Sequence, residues 1–363
     1  MPRHNWLKLA SAAIVGGTLA LAAAGCSKGG VPEAVPVRSE SPPAGDPAPS
    51  GGDAHPSRQP VPAPAPAHVY PLTGLPAESE TKRRPILVMV ENSPQARPQT
   101  GLDEADIVYE ILAEGEITRF AAVYQSASPQ TIGPVRSIRP YFVELGDGLD
   151  ALIVHAGWSQ EAMNMIAERK LAHFDQVYGD GSYYWRDPKR KMPHNLYTGA
   201  ELIRKGAEAK RFRADWNGPI ATFAAPPAKG APASPDAAAA VKATIPYLHG
   251  YTVSYEYDAA NGVYLRSMNG EPHVDAESGR TLSAANVIIC YAEHRVVDKE
   301  GRRDVDLFGP GKGALLQGGT KRDIVWERKD GLIRAYEGGK ELGWLPGQTW
   351  VQIVPTGGAA TFE

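Results

Sequence analysis

ALIVHAGWSQEAMNMIAERK, residues 151–170, decides the fold class. Ala151 to Val154 is an uncharged apolar run of strand length. Gly157 interrupts it, Ser159 offers a hydroxyl as a helix N-cap, and Glu161 falls in the first turn. Ala162, Met165 and Ile166 then recur at helical spacing toward Glu168-Arg169-Lys170. A strand passing directly into a helix is the building unit of layered α/β structure.

Working outward, Ile86–Val90, Ile107–Leu112 and Phe120–Tyr124 are further apolar runs of strand length. Thr198 is placed to cap a helix through Leu202, Ile203 and Ala207. Residues 68–223 therefore read as a mixed α/β domain. Residues 224–240, AAPPAKGAPASPDAAAA, carry four prolines and no apolar period, the mark of a linker. Beyond it, Tyr251, Val253, Tyr255 and Tyr257 alternate with polar residues, Asn261-Gly262 forms a turn, and Lys329-Asp330-Gly331 separates two further strand runs. No helical period of useful length appears there, so residues 241–363 read as a mainly-β domain, a small sandwich or barrel. The whole is expected to be α+β.

Upstream, Arg3, His4 and Lys8 precede a charge-free run from Leu9 to Gly25 that is short for a spanning helix, so residues 1–25 read as a signal peptide. Ala23-Ala24-Gly25-Cys26 resembles a bacterial lipobox, which would make Cys26 the lipidated N-terminus; Ala23 stands where leucine is commonest. The alternative is an ordinary secretory peptide with an incidental cysteine. Residues 27–67 hold 11 prolines and no aromatic residue. Such chain cannot bury enough surface to offset its entropy, and residues 26–67 read as a tether on the order of 100 Å in reach.

Across 363 residues, 38 basic and 41 acidic side chains leave a formal charge of −3, which excludes a strongly basic nucleic-acid binder. Two cysteines, Cys26 and Cys290, support neither a disulfide framework nor a cysteine zinc cluster. Cys290 lies in an apolar run where an inert buried thiol is the default.

Several motifs in order carry a resemblance: Glu114-Gly115-Glu116-Ile117-Thr118-Arg119-Phe120, the run Ile132 to Tyr141, Val154-His155-Ala156-Gly157, Pro193-His194-Asn195-Leu196-Tyr197, and Pro346-Gly347-Gln348-Thr349-Trp350. Together they resemble the YerB-like lipoproteins of Gram-positive bacteria over roughly residues 70–221 and 245–355. The resemblance implies a surface lipoprotein with a two-domain α+β body, and it implies no reaction. The chemistry has to come from the residues.

Arg119, Arg136 and Arg139 form a segment of local charge +3, and guanidinium forks suit carboxylate or phosphate. They either cradle an anion or pair with Glu110, Glu114, Glu116 or Glu144. In an extended chain Glu110, Glu114 and Glu116 share parity and would point to one face, a set that a divalent Mg²⁺ or Ca²⁺ could use; an arginine-answered strand edge is the alternative. His155 ends a strand just before Ser159 and its helix, a placement open to acid/base work, phosphate binding or a plain turn hydrogen bond. Arg186 to Asn195 carries net charge +3, including Arg186 and Lys191, beside Tyr183, Tyr184, Trp185, Tyr197 and His194. Cations among aromatic rings suit sugar phosphates, anionic wall polymers or lipid headgroups, and a solvated loop is the rival. Ser137 lacks an adjacent base, and no nucleophile elbow, Walker loop, dinucleotide fingerprint or zincin helix occurs.

The expectation is a lipid-anchored protein on the outer face of the cytoplasmic membrane. It binds an anionic cell-wall ligand or another envelope protein without catalysis, needs no cofactor, and uses Arg119, Arg136, Arg139 and His155. The alternative is a metal-assisted phosphoryl or glycopolymer transferase or phosphatase with Glu110 and His155 as catalytic candidates.

Overall fold

A computed structural model describes residues 66–227, 237–248 and 250–363. Residues 1–25, read as a signal peptide, Cys26, nearly all of the expected tether and the middle of the expected 224–240 linker lie outside the described residues. No described helix is long and apolar enough to cross a membrane.

The N-terminal segment gives β1 (Ile86–Glu91), β2 (Ile107–Glu114), β3 (Ile117–Tyr124), α1 (Pro140–Gly148), β4 (Leu152–His155), α2 (Gln160–Glu168), β5 (His173–Asp175), β6 (Trp185–Arg186), β7 (Leu196–Tyr197) and α3 (Ala200–Ala209). The strand-to-helix reading of residues 151–170 holds as β4 and α2: Ser159 Oγ accepts the Ala162 amide at 3.4 Å. Thr198, expected to cap α3, does not. Its hydroxyl donates to the Tyr183 carbonyl at 2.8 Å, and Gly199 occupies the cap position.

The C-terminal segment contributes strands without an α-helix among the described residues: β8 (Lys242–Leu248), β9 (Tyr251–Asp258), β10 (Val263–Met268), β11 (Asn286–Ala292), β12 (Gly311–Gln317), β13 (Thr320–Lys329), β14 (Leu332–Glu337), β15 (Lys340–Leu342) and β16 (Thr349–Pro355). These strands form two facing layers, as in a sandwich, but not a self-contained domain. β11 pairs in parallel with β16, and β16 pairs in parallel with β2, so the two segments share one sheet ordered β15-β14-β13-β12-β11-β16-β2-β3-β1-β4-β5. The Gln348 side chain fastens the seam by donating to the carbonyls of Leu102 at 2.8 Å and Ala105 at 2.6 Å. The molecule is mainly β, with its three described α-helices confined to residues 140–209.

Strand alternation assigns the two faces of this sheet. Val88, Val90, Val108, Phe120 and Ala122 meet a second sheet built on β8–β10, through Ile245, Val253, Tyr255 and Tyr264. Leu87, Met89, Tyr109, Ile111 and Ala121 meet α1 and α2, through Phe142, Val143, Ala162 and Ile166. The central strands are apolar on both faces because both are covered. Cys290 is fully buried, and burial pushes its thiol well above its ordinary value.

The Asp330-Gly331 turn joins β13 to β14 as read from the sequence, and it is tighter than a hairpin alone requires. Gly331 has φ +85°, and a Cβ there would collide with the Gly148 carbonyl oxygen at the end of α1. Gly331→Ala should cost about 2 kcal/mol or more through strain and collision. A drop of several degrees in melting temperature checks it, and an unchanged value refutes it.

Candidate functional site

β1, β2, β4, β5, β11 and β16 all run the same way, with β3 inserted antiparallel between β2 and β1. Their carboxyl ends define one edge of the sheet, the place where ligands of open α/β sheets lodge. Glu91, Glu114, His155 and Asp175 end β1, β2, β4 and β5 there, and Arg119 lies near the start of β3. The crossing loop 133–139 runs along the same edge, bonded through Val135 N to the Leu196 carbonyl and Arg136 N to that of Met89.

The three acidic residues of 110–116 do not share a face, which corrects the parity expectation. The register of β2 against β3 shifts between Leu112 and Glu114, a bulge at Ala113 that reverses the alternation. Glu110 therefore turns toward the second sheet. Its carboxylate is fully buried, 2.8 Å from Arg266 Nη2, and accepts from Thr118 Oγ1 at 2.8 Å and from the Tyr251 hydroxyl. Arg266 is also fully buried, its guanidinium 4.5 Å above the Trp350 ring. Burial opposes the charge on Arg266, yet the Glu110 carboxylate holds its pKa above the ordinary arginine value. Glu114 turns the other way and takes both Arg119, at 2.8 Å, and Arg139. Burial opposes its ionisation, but Arg119 and Arg139 hold it below the usual carboxylate range. Glu116 is exposed in the turn. No group of three or more His, Cys, Asp or Glu placed to hold a metal occurs among the described residues.

The arginines are consequently committed side chains. Arg119 also donates to the Ser137 carbonyl at 2.5 Å, and Arg139 to that of Ile138 at 2.6 Å. Arg136 is about one-third exposed, with Nε 3.4 Å from Glu91 Oε1. Glu91 is a residue the sequence reading missed. It gathers Arg136, the Ser93 hydroxyl at 2.8 Å and His194 Nδ1 at 2.9 Å, and its Oε2 is buried without a hydrogen-bond partner among the described residues. Ser93 Oγ lies 3.3 Å from the same His194 Nδ1. Serine and carboxylate thus address one ring nitrogen, whereas a nucleophile-activating histidine takes them on opposite nitrogens.

His155 is fully buried beneath this edge. Its Nδ1 donates to the Gly157 carbonyl at 3.0 Å, leaving Nε2 to accept from His173 Nδ1 at 3.2 Å. Burial pushes its pKa down to about 4, with Asp175 opposing, so the ring is neutral at pH 7 and has no exposed nitrogen. Ser159, engaged as the α2 cap, is not free for a ligand.

The 185–197 loop is different. Trp185 pairs with Tyr197 across β6–β7, their rings stacked at 6.4 Å and 25°. Arg190 pins the loop by donating to the Tyr197 hydroxyl at 2.6 Å and to the carbonyls of Arg97 and Pro98. Asn195 ties the loop's two ends by donating to the Asp187 and Arg190 carbonyls and accepting from Arg186. On this fixed frame Arg186, Lys189 and Lys191 are exposed, with no ion-pair partner among the described residues. Beside them lies a groove of about 510 Å³, walled by Trp185, Arg186, Asp187 and Tyr197 on one side and Ala276 and Glu277 on the other. Of the sequence candidates, Arg186 lines this groove, Lys191 and His194 share its loop, and Arg119, Arg136 and Arg139 lie along the neighbouring sheet edge. Glu110 is sealed between the two sheets, and His155 is sealed beneath that edge.

Comparison with known proteins matches residues 72–213 to the family described as a protein of unknown function (DUF3048), N-terminal domain, and residues 243–351 to its C-terminal domain. The chain belongs to the DUF3048 family. It is 41% identical to "Putative lipoprotein YerB" of Bacillus subtilis (strain 168) over 297 residues, 81% of this chain and 88% of that one. It superposes on a crystal structure of the YerB protein from Bacillus subtilis with TM-score 0.74 and 38% identity, over 81% of this chain and 99% of that chain. In DUF3048 terms the groove is a junction, since Pro98, Thr100 and Thr131 belong to the N-terminal domain and Ala276 and Glu277 to the C-terminal one. Ala276 N donates to the Gln99 carbonyl at 2.7 Å, joining the two walls.

Proposed function

We propose that the protein is a lipoprotein, held by a lipidated Cys26 at the extracytoplasmic face of the membrane, whose folded body binds an anionic ligand of the cell envelope without catalysis. The lipobox-like Ala23-Ala24-Gly25-Cys26 and the name of the YerB relative support the anchor. The observation that carries the binding reading is the trio Arg186, Lys189 and Lys191, exposed and unneutralised on a pinned loop beside a groove. A loop backbone already pinned loses little entropy when its cations capture an anion.

The ligand set therefore moves from Arg119, Arg139 and His155 to the 185–194 loop, with Arg136 and His194 at its flank. A binder is preferred to a metal-assisted transferase because Glu110 and Glu114, the carboxylates that reading needs, are each bonded to arginine.

Replacing Arg186 and Lys191 together by glutamate should weaken binding to an anionic wall polymer such as poly(glycerol phosphate) by about tenfold or more and flatten its salt dependence. The melting temperature should stay put, because both side chains are exposed. Equal affinity of the parent and the double variant at low and high salt would sink the reading.

A further inference from the structure

The charges around the groove are segregated. Its walls carry two carboxylates, Asp187 and Glu277, balanced by two guanidiniums, Arg186 and the pinned Arg190, while Lys189 and Lys191 stand outside it on the loop. A phosphate placed in the groove would face those carboxylates. The same phosphate beside Lys189 and Lys191 would meet cations that no carboxylate pairs among the described residues. The groove is thus built for an uncharged, hydroxyl-rich group, and the loop for the phosphate attached to it.

Three features of the walls suit a sugar ring. Trp185 is 39% exposed, a large apolar face left open to solvent, and Tyr197 stacked against it keeps the indole in one orientation. An aromatic plane of this kind packs against the C–H face of a pyranose. Asp187, Glu277 and Arg186 are planar groups that address neighbouring hydroxyls in pairs. The volume falls within the range of small-ligand sites, and the lining residues Trp185, Arg186 and Pro188 are exposed, so the groove is open to a longer chain.

We infer that the groove is a sugar subsite and that the ligand is a phosphate-bearing glycan or glycosylated polyol-phosphate polymer. Trp185 would stack on the sugar, Asp187 and Glu277 would accept from its hydroxyls, and Arg186, Lys189 and Lys191 would hold the phosphate. This inference rests on the anion-binding reading above and adds the neutral half of the ligand.

The test uses the full chain and three probes: a β-1,4-linked N-acetylglucosamine tetramer, bare poly(glycerol phosphate), and the glucosylated form of that polymer. The parent should bind the glucosylated polymer about tenfold more tightly than the bare one, and the tetramer should perturb indole fluorescence. Trp185→Ala should erase the tetramer signal and the glucosylation gain, bringing the affinities for the glucosylated and bare polymers together. Glu277→Gln should reduce the gain with Trp185 intact, so that a fluorescence loss cannot come from removing the reporter alone. Equal affinity of the parent for the bare and glucosylated polymers, with no response to the tetramer, would overturn the sugar subsite and leave the anion reading standing. Sugar binding together with no affinity for the bare polymer would overturn the anion reading and leave the subsite standing.

Discussion

Glu110→Ala should destabilise the folded chain by about 3–5 kcal/mol, among the largest effects any single substitution would have here. The reason is what it leaves behind. Arg266 would remain fully buried with its charge unanswered, since its other partners are the hydroxyls of Tyr255 at 2.8 Å and Tyr251 at 3.4 Å and His273 Nδ1 at 3.0 Å. Burial pushes His273 well below its ordinary pKa, with Arg266 and Arg97 adding to the effect, so that ring stays neutral and cannot balance the charge. Asn92, Thr118 and Tyr251 would lose an acceptor at the same time. Urea unfolding followed by circular dichroism measures the loss as a fall in midpoint. Glu110→Leu combined with Arg266→Met should recover most of it, because an apolar pair of similar volume needs no desolvation of charge. A single variant within about 1 kcal/mol of the parent would refute this account.

The second large effect is acid sensitivity. Burial pushes His155 from its ordinary 6.5 down to about 4, against the pull of Asp175, and does the same to His294. His173 is lowered as well, chiefly by burial and then by Lys210. An unfolded chain takes up protons near pH 6.5 that the folded one refuses until about pH 4. The stability His155 and His294 contribute is therefore fully present above pH 6.5, drains away as pH falls to about 4, and changes little below that. For His155 alone the loss is on the order of 3 kcal/mol. Melting temperature recorded from pH 7 to pH 4 should fall more steeply for the parent than for His155→Gln or His294→Gln. Identical slopes in all three proteins would contradict it.

Much of the fold was legible because it is written locally. Apolar runs such as Ile86–Val90 and the Ser159-capped helix need only their neighbours to be recognised. The pairing of β16 with β2 was not, because parallel neighbours from distant parts of a chain share no turn and leave no local mark. The acidic trio was misplaced by a single bulge residue, Ala113, which parity arithmetic cannot foresee. Arg266 did leave a trace. It shares the alternation of Tyr264 and Met268, both buried, and so belonged on the inward face of its strand. The basic loop was visible from charge, but its groove was not, since Ala276 and Glu277 arrive from the other domain. Glu91 escaped notice as the polar last residue of an apolar strand.

The seam between β2 and β16 bears on how the chain is made. Synthesis runs from the N-terminus, so β2 emerges early and waits for its partner until residues 349–355 follow. In that interval one flank of a strongly apolar strand has its backbone groups open to any other extended chain. The protein is thus built in an order that leaves its central seam for last, and a chain shortened at the C-terminus would lose the middle of its sheet rather than its margin.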